Sequence, residues 1–142
     1  MSRKIELAIV HCSDTYVNMD WDATDIRRIH VDENGWLDIG YNYIIKRDGT
    51  LENGRDLDND GNVEEEIGAH ARGFNHNSIG ICLIGGKGAD NNPEFNFTSH
   101  QMLTLERLVC TLQAKYTGLY VIGHRDISTK ACPSFNVKAY FS

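Results

Sequence analysis

Three potential metal ligands lie at or near the ends of strand-like segments. His11 follows the apolar run 7–10, His124 follows the apolar run 119–122 after one glycine, and Cys132 comes eight positions later. Side chains at strand ends gather at one edge of an α/β sheet. Imidazole and thiolate are ligands that zinc prefers, and three protein ligands plus a water are typical of a catalytic zinc site. The competing interpretation is that the two histidines only form hydrogen bonds and that the thiol is packed in the interior. This interpretation stays open because short motifs recur by chance.

The elements that must position these side chains follow from hydrophobic periodicity. Short apolar runs predict strands, and repeats at helical spacing behind capping residues predict helices. The predicted strands are 7–10, 43–45, 78–84 and 119–122, with a hairpin turn at 47–50 and helices at 22–32 and 98–116. Strands interleaved with helices predict an α/β fold with a central mixed β-sheet flanked by helices on both faces. We expect one domain over residues 1–142.

Composition excludes several classes of function. The net charge is −6 and basic residues form no stripe, which argues against a nucleic-acid partner. No apolar stretch approaches the ~18 residues of a membrane span, so membrane insertion is not expected, and residues 1–10 do not resemble a signal peptide. The four cysteines contain no CxxC pair. In a reducing compartment we expect free thiols, with Cys82 and Cys110 buried in apolar surroundings.

Four segments together resemble the type 2 N-acetylmuramoyl-L-alanine amidases, the family that includes phage endolysins and animal peptidoglycan recognition proteins. They are 11–13 (HCS), 35–50 (GWLDIGYNYIIKRDGT), 68–80 (GAHARGFNHNSIG) and 123–135 (GHRDISTKACPSF), and they occur in the family order. The resemblance implies hydrolysis of the amide bond between N-acetylmuramic acid and L-alanine. It also implies one catalytic Zn²⁺ held by His11, His124 and Cys132.

The same resemblance implies roles for four further residues. Tyr41 and Lys130 are implied to be catalytic, and His70 and Asn75 to lie near the substrate groove. The position after Tyr41 usually holds histidine in the family, whereas this chain has Asn42. Strand alternation directs Asn42 away from the side of Tyr41. The replacement of histidine by Asn42 therefore questions an acid–base role at this position, but it leaves the implied zinc ligands unaffected.

The phage relatives suggest partners and a location. We expect peptidoglycan as substrate, a monomer, and residence in the host cytoplasm until release to the wall through a holin pore. Three alternatives stay open: a module that binds peptidoglycan without cutting it, an additional role as an inhibitor of RNA polymerase, and a cytosolic amidase that recycles wall fragments.

An acidic segment at 56–66 stands apart from these motifs. Asp56, Asp58, Asp60 and Gly61 match the first part of an EF-hand calcium loop, but Ile67 occupies the twelfth place, where a bidentate glutamate is needed. Calcium binding at this loop is one hypothesis, and a solvated acidic loop is the favoured one.

Overall fold

The fold is built on a five-stranded mixed sheet. A computed structural model describes residues 3–142. The spatial order of the strands is β3-β2-β4-β1-β5, and their bounds are Leu7–Cys12 (β1), Tyr43–Ile45 (β2), Leu51–Asn53 (β3), Ser78–Leu83 (β4) and Tyr120–Gly123 (β5). β1, β2, β4 and β5 run parallel to one another, and β3 pairs antiparallel with β2 through the predicted hairpin. The carboxyl ends of β1 and β5 therefore meet at the same edge.

Helices cover both faces of this sheet, as predicted. Helix α1 (Ala23–Arg28) starts at an Asp22–Asp25 capping box, continues into a π-helical turn (Ile29–Glu33), and buries Ile26 against one face. Helix α2 (Ser99–Lys115) starts at a Thr98–Gln101 capping box and covers the other face. A short helix α3 (Val137–Tyr140) follows near the C-terminus. Each cap satisfies backbone N–H groups that a helix start otherwise leaves unpaired.

Two details differ from the sequence-based prediction. β1 extends through His11 to Cys12, so His11 is a fully buried strand residue rather than the first residue of a loop. Cys82 is buried as expected, but Cys110 is exposed, because its side chain lies on the solvent side of α2 while Leu108, Val109 and Leu112 face the core. The position of a residue around the helix axis, and not the apolar character of its sequence neighbours, decides whether it is buried, and the predicted burial of Cys110 was therefore wrong.

Two buried polar side chains hold the long segment between β3 and β4 against the sheet. The Asn42 carboxamide donates to the carbonyls of Val63 and Glu66 at 2.9 Å each and accepts from the Gly80 backbone at 2.8 Å. The Arg55 guanidinium donates to three backbone carbonyls, those of residues 38, 39 and 67. These bonds fix the start of the 68–77 segment, which carries His70. Among residues 3–142, none of the helices combines the length and the apolar composition needed to cross a membrane.

Candidate active site

The three expected metal ligands converge at the carboxyl edge of the sheet. His11 points from β1 to the face that carries α1, since it alternates with Val10 and Cys12 on the α2 side. His124 opens a 3-10 turn (His124–Asp126) directly after β5, with its ring centroid 4.5 Å from that of His11. One donor atom from each of His11, His124 and Cys132 lies within 4.8 Å of the other two. The parallel pairing of β1 with β5 thus brings together ligands that are far apart in sequence.

The loop that carries Cys132 is tied to both strands. The Arg125 backbone N–H donates to the Cys132 carbonyl at 2.7 Å, and the Cys12 backbone N–H donates to the Cys132 sulfur at 3.0 Å. The sulfur is therefore positioned by the ends of β1 and β5, which also carry the two imidazoles.

Burial and nearby charges set the protonation states of the three candidate ligands. Burial lowers the pKa of His11 and of His124, and the nearby Lys130 charge lowers both further, so both imidazoles are neutral near pH 7. A hydrogen bond with the Cys12 side chain, together with burial, raises the pKa of the Cys132 thiol. Two neutral imidazoles and one thiol that a cation converts to thiolate are the donor set that fits zinc.

Tyr41 and Lys130 line the same cleft as the three ligands. The Tyr41 ring centroid lies 5.1 Å from that of His11, and burial raises the pKa of the phenol well above its usual range, so it stays protonated. Lys130 is exposed on the loop between His124 and Cys132. The cleft has a volume of about 590 Å³. It presents a protonated phenol and an ammonium group beside the ligands.

Comparison with known proteins identifies the family. The sequence pattern of the N-acetylmuramoyl-L-alanine amidases matches residues 1–135. The chain belongs to the N-acetylmuramoyl-L-alanine amidase family. The endolysin of Klebsiella phage KP32 is 47% identical over 132 residues, which are 93% of this chain and 82% of that protein. The endolysin of Escherichia phage T7 is also 47% identical over 132 residues, with the same coverage.

A solved structure agrees with this assignment. The N-acetylmuramoyl-L-alanine amidase LysC of Clostridium intestinale is 28% identical and superimposes with a TM-score of 0.77, covering 98% of this chain and 86% of that one. The chain is thus an enzyme, an amidase of the α/β fold that the sequence predicted.

One wall of the amidase cleft was not foreseen from the sequence. His30, Asn34 and Trp36 line it, with the rings of His30 and Trp36 4.4 Å apart. The His30 Nδ1 accepts the Gly40 backbone N–H at 2.9 Å, which ties the end of the helical segment to the strand side. Trp36 lies inside segment 35–50, one of the four segments that resemble the amidase family, so that resemblance was the signal that could have placed Trp36 in the cleft. The sequence placed His30 on the apolar face of the predicted helix 22–32, and such a position predicts packing in the core and not a place in the cleft wall.

His70 and Asn75 occupy different positions in the amidase. His70 lines the cleft, but its ring is nearly buried and its Nδ1 lies 2.8 Å from the His11 Nε2; burial lowers its pKa to about 3. Asn75 lies outside the set of residues that line the cleft, and its side-chain oxygen accepts the backbone N–H groups of His70 and Ala71 at 2.9 Å each. Substrate contact stays a prediction for both residues, while the structure gives each a contact within the protein.

The acidic segment of the amidase forms a hydrogen-bonded loop. The carboxylates of Asp56, Asp58 and Asp60 lie within 4.8 Å of one another, and Asp56 accepts the Gly61 backbone N–H at 2.8 Å. β3 precedes the loop and a single 3-10 turn (Val63–Glu65) follows, instead of the two helices of an EF-hand. Clustered exposed carboxylates are not specific to calcium, so calcium binding stays a prediction without further support.

Proposed function

We propose that His11, His124 and Cys132 hold one zinc ion and that this cleft hydrolyses the amide bond between N-acetylmuramic acid and L-alanine in peptidoglycan. The observation that carries the proposal is the convergence of these three donor atoms in a cleft that also presents Tyr41 and Lys130. A bound zinc ion supplies a Lewis acid and lowers the pKa of a water molecule to about 7.

The chain's own residues account for the remaining demands of the reaction. Hydrolysis adds the oxygen of water to the lactyl carbonyl carbon, breaks the carbon–nitrogen bond and leaves a proton on the L-alanine nitrogen. Negative charge develops on the carbonyl oxygen, and the Lys130 ammonium can donate a hydrogen bond to it. The protonated Tyr41 hydroxyl can orient the attacking water or donate to the same oxygen.

The experiment combines metal analysis with mass spectrometry of digested peptidoglycan. We expect about one zinc per chain, and products consisting of glycan with free lactyl groups and peptides that begin with L-alanine. Peptides released by cleavage at any other bond, or full activity in protein freed of metal, would contradict the proposal. Binding to cell walls without product would instead support the alternative of a non-catalytic binding module.

We infer that the biological role is lysis of a host cell wall, because two relatives at 47% identity are phage endolysins. Release through a holin pore, a monomeric state and inhibition of RNA polymerase remain predictions for this chain. Loss of turbidity in a suspension of Gram-negative cell walls tests the lytic role. The rate of transcription by RNA polymerase in the presence of the purified protein tests the predicted inhibition.

A further inference from the structure

A chain of hydrogen bonds runs from the protein interior to His11. The Ser78 hydroxyl oxygen lies 2.7 Å from the Phe74 carbonyl oxygen and 3.3 Å from the Nε2 of His70. The other ring nitrogen of His70, Nδ1, lies 2.8 Å from the Nε2 of His11. All three side chains are buried, with exposed fractions of 0% for Ser78, 1% for His11 and 9% for His70.

The direction of each bond follows from the proton inventory of its partners. A carbonyl oxygen only accepts, so the single Ser78 hydroxyl proton points to Phe74. The Ser78 oxygen must then accept from His70, which places the His70 proton on Nε2. A neutral imidazole carries one such proton, and its Nδ1 is left as an acceptor. His11 therefore donates from Nε2 to His70, and its own lone pair lies on Nδ1.

We propose that His70 is a positioning residue that holds His11 in the Nε2–H tautomer, so that Nδ1 is the atom His11 offers to a metal. The metal part of this inference rests on the proposed zinc site, whereas the tautomer belongs to the metal-free protein. Histidine ligands of metals are commonly oriented by a hydrogen bond at the second ring nitrogen. This assignment gives His70 a task that is separate from substrate contact.

The surroundings of the His70 ring are shaped to keep it in this orientation. A Cβ atom at Gly80 would lie 2.6 Å from the ring, and one at Gly68 would lie 2.8 Å from its Cδ2 atom. Only glycine at these two positions leaves room for an imidazole against β4. Asn75 accepts the His70 backbone N–H at 2.9 Å, which fixes the main chain from which the ring projects. The His70 ring is therefore packed against the main chain at Gly68 and at Gly80, and the hydrogen bond to Asn75 fixes its own main chain.

The test of the tautomer uses ¹⁵N-labelled, metal-free wild-type protein. Two-bond ¹H–¹⁵N correlation spectra distinguish protonated from bare ring nitrogens. We expect the His11 Nε2 to carry the proton and Nδ1 to be bare. A proton on the His11 Nδ1 would overturn the inference, with no variant required.

Variants then test whether His70 is the cause. His70→Leu removes the acceptor, and His70→Asn keeps a side-chain oxygen near the Nδ1 position. We expect His70→Leu to give a mixture of His11 tautomers and about 10–100-fold weaker zinc binding in a chelator competition assay, and we expect His70→Asn to restore most of both. The matched control is His76→Leu, since His76 is exposed on the same segment.

The outcomes separate this inference from the zinc proposal. If the tautomer and the zinc affinity of folded His70→Leu equalled those of the wild type, the positioning role would be wrong while the zinc site stood. If wild-type protein bound no zinc, the proposed function would fail, and the spectra of the metal-free protein would still decide the tautomer.

Discussion

The Cys132 sulfur accepts a hydrogen bond of 3.0 Å from the backbone N–H of Cys12, a residue 120 positions earlier in the chain. Cys12 follows His11 on the same strand, so one hydrogen bond connects the loop of the third ligand to the strand of the first. A backbone N–H that donates to sulfur stabilises a thiolate, and this is the form that binds a metal. The position of the Cys132 sulfur therefore depends on β1 as well as on the loop that carries it.

Replacing this thiol tests the metal site directly. Cys132→Ala is expected to lose both zinc and amidase activity, because two imidazoles remain where three protein ligands are needed. Zinc content by elemental analysis and product formation by mass spectrometry measure the two effects. Cys110→Ala is the matched control, since that thiol is exposed on α2. Retention of stoichiometric zinc by folded Cys132→Ala would remove Cys132 from the ligand set.

Zinc binding is expected to weaken as the pH falls. The hydrogen bond with Cys12 and burial raise the pKa of the Cys132 thiol, so the metal-free protein holds this proton near neutral pH and must release it on binding. The lowered pKa values of His11 and His124 leave no imidazole proton to displace there. Zinc affinity should therefore rise about tenfold per pH unit between about pH 6 and 8.

Calorimetry in buffers with different heats of ionisation counts the released protons, and we expect about one. In Cys132→Asp the third ligand is a carboxylate that is already ionised at these pH values, so the dependence on pH should largely disappear. An unchanged proton count in that variant would assign the proton to another group.

Tyr41→Phe and Lys130→Ala are expected to keep zinc and the fold but to lower kcat by about 10²–10³ each, because each removes one hydrogen-bond donor from the developing charge. Initial rates on purified peptidoglycan, with zinc content measured on the same samples, separate chemistry from metal loss. Lys138→Ala is the control, since Lys138 is exposed on α3. Loss of zinc in Lys130→Ala would show that its role is to hold the site together.

Asn42→Ala is expected to lower the free energy of unfolding by at least about 2 kcal/mol. Asn42 is fully buried, and its loss leaves the carbonyls of Val63 and Glu66 and the backbone N–H of Gly80 without their side-chain partner. Urea titration followed by circular dichroism measures the change, with the exposed Asn18→Ala as control. A loss below 0.5 kcal/mol, within the usual range for surface substitutions, would mean that other partners replace the carboxamide.

Periodicity and composition were sufficient to predict the strands, the two capped helices and the mixed sheet with helices on both faces. They also placed His11 and His124 near the ends of strands, and these ends meet because β1 and β5 pair in parallel. Such features are encoded within short windows of sequence, where the spacing of apolar residues and the identity of a capping residue decide local structure.

The tertiary structure alone decided which polar groups meet. The bond between His11 and His70, the bond between Cys12 and Cys132, and the placement of His30 in the cleft wall join distant segments of the chain. A hydrogen bond requires placement of both partners within a few tenths of an ångström. Local patterns indicate which face of a strand or helix a residue occupies, whereas the packing of whole elements determines what it touches there.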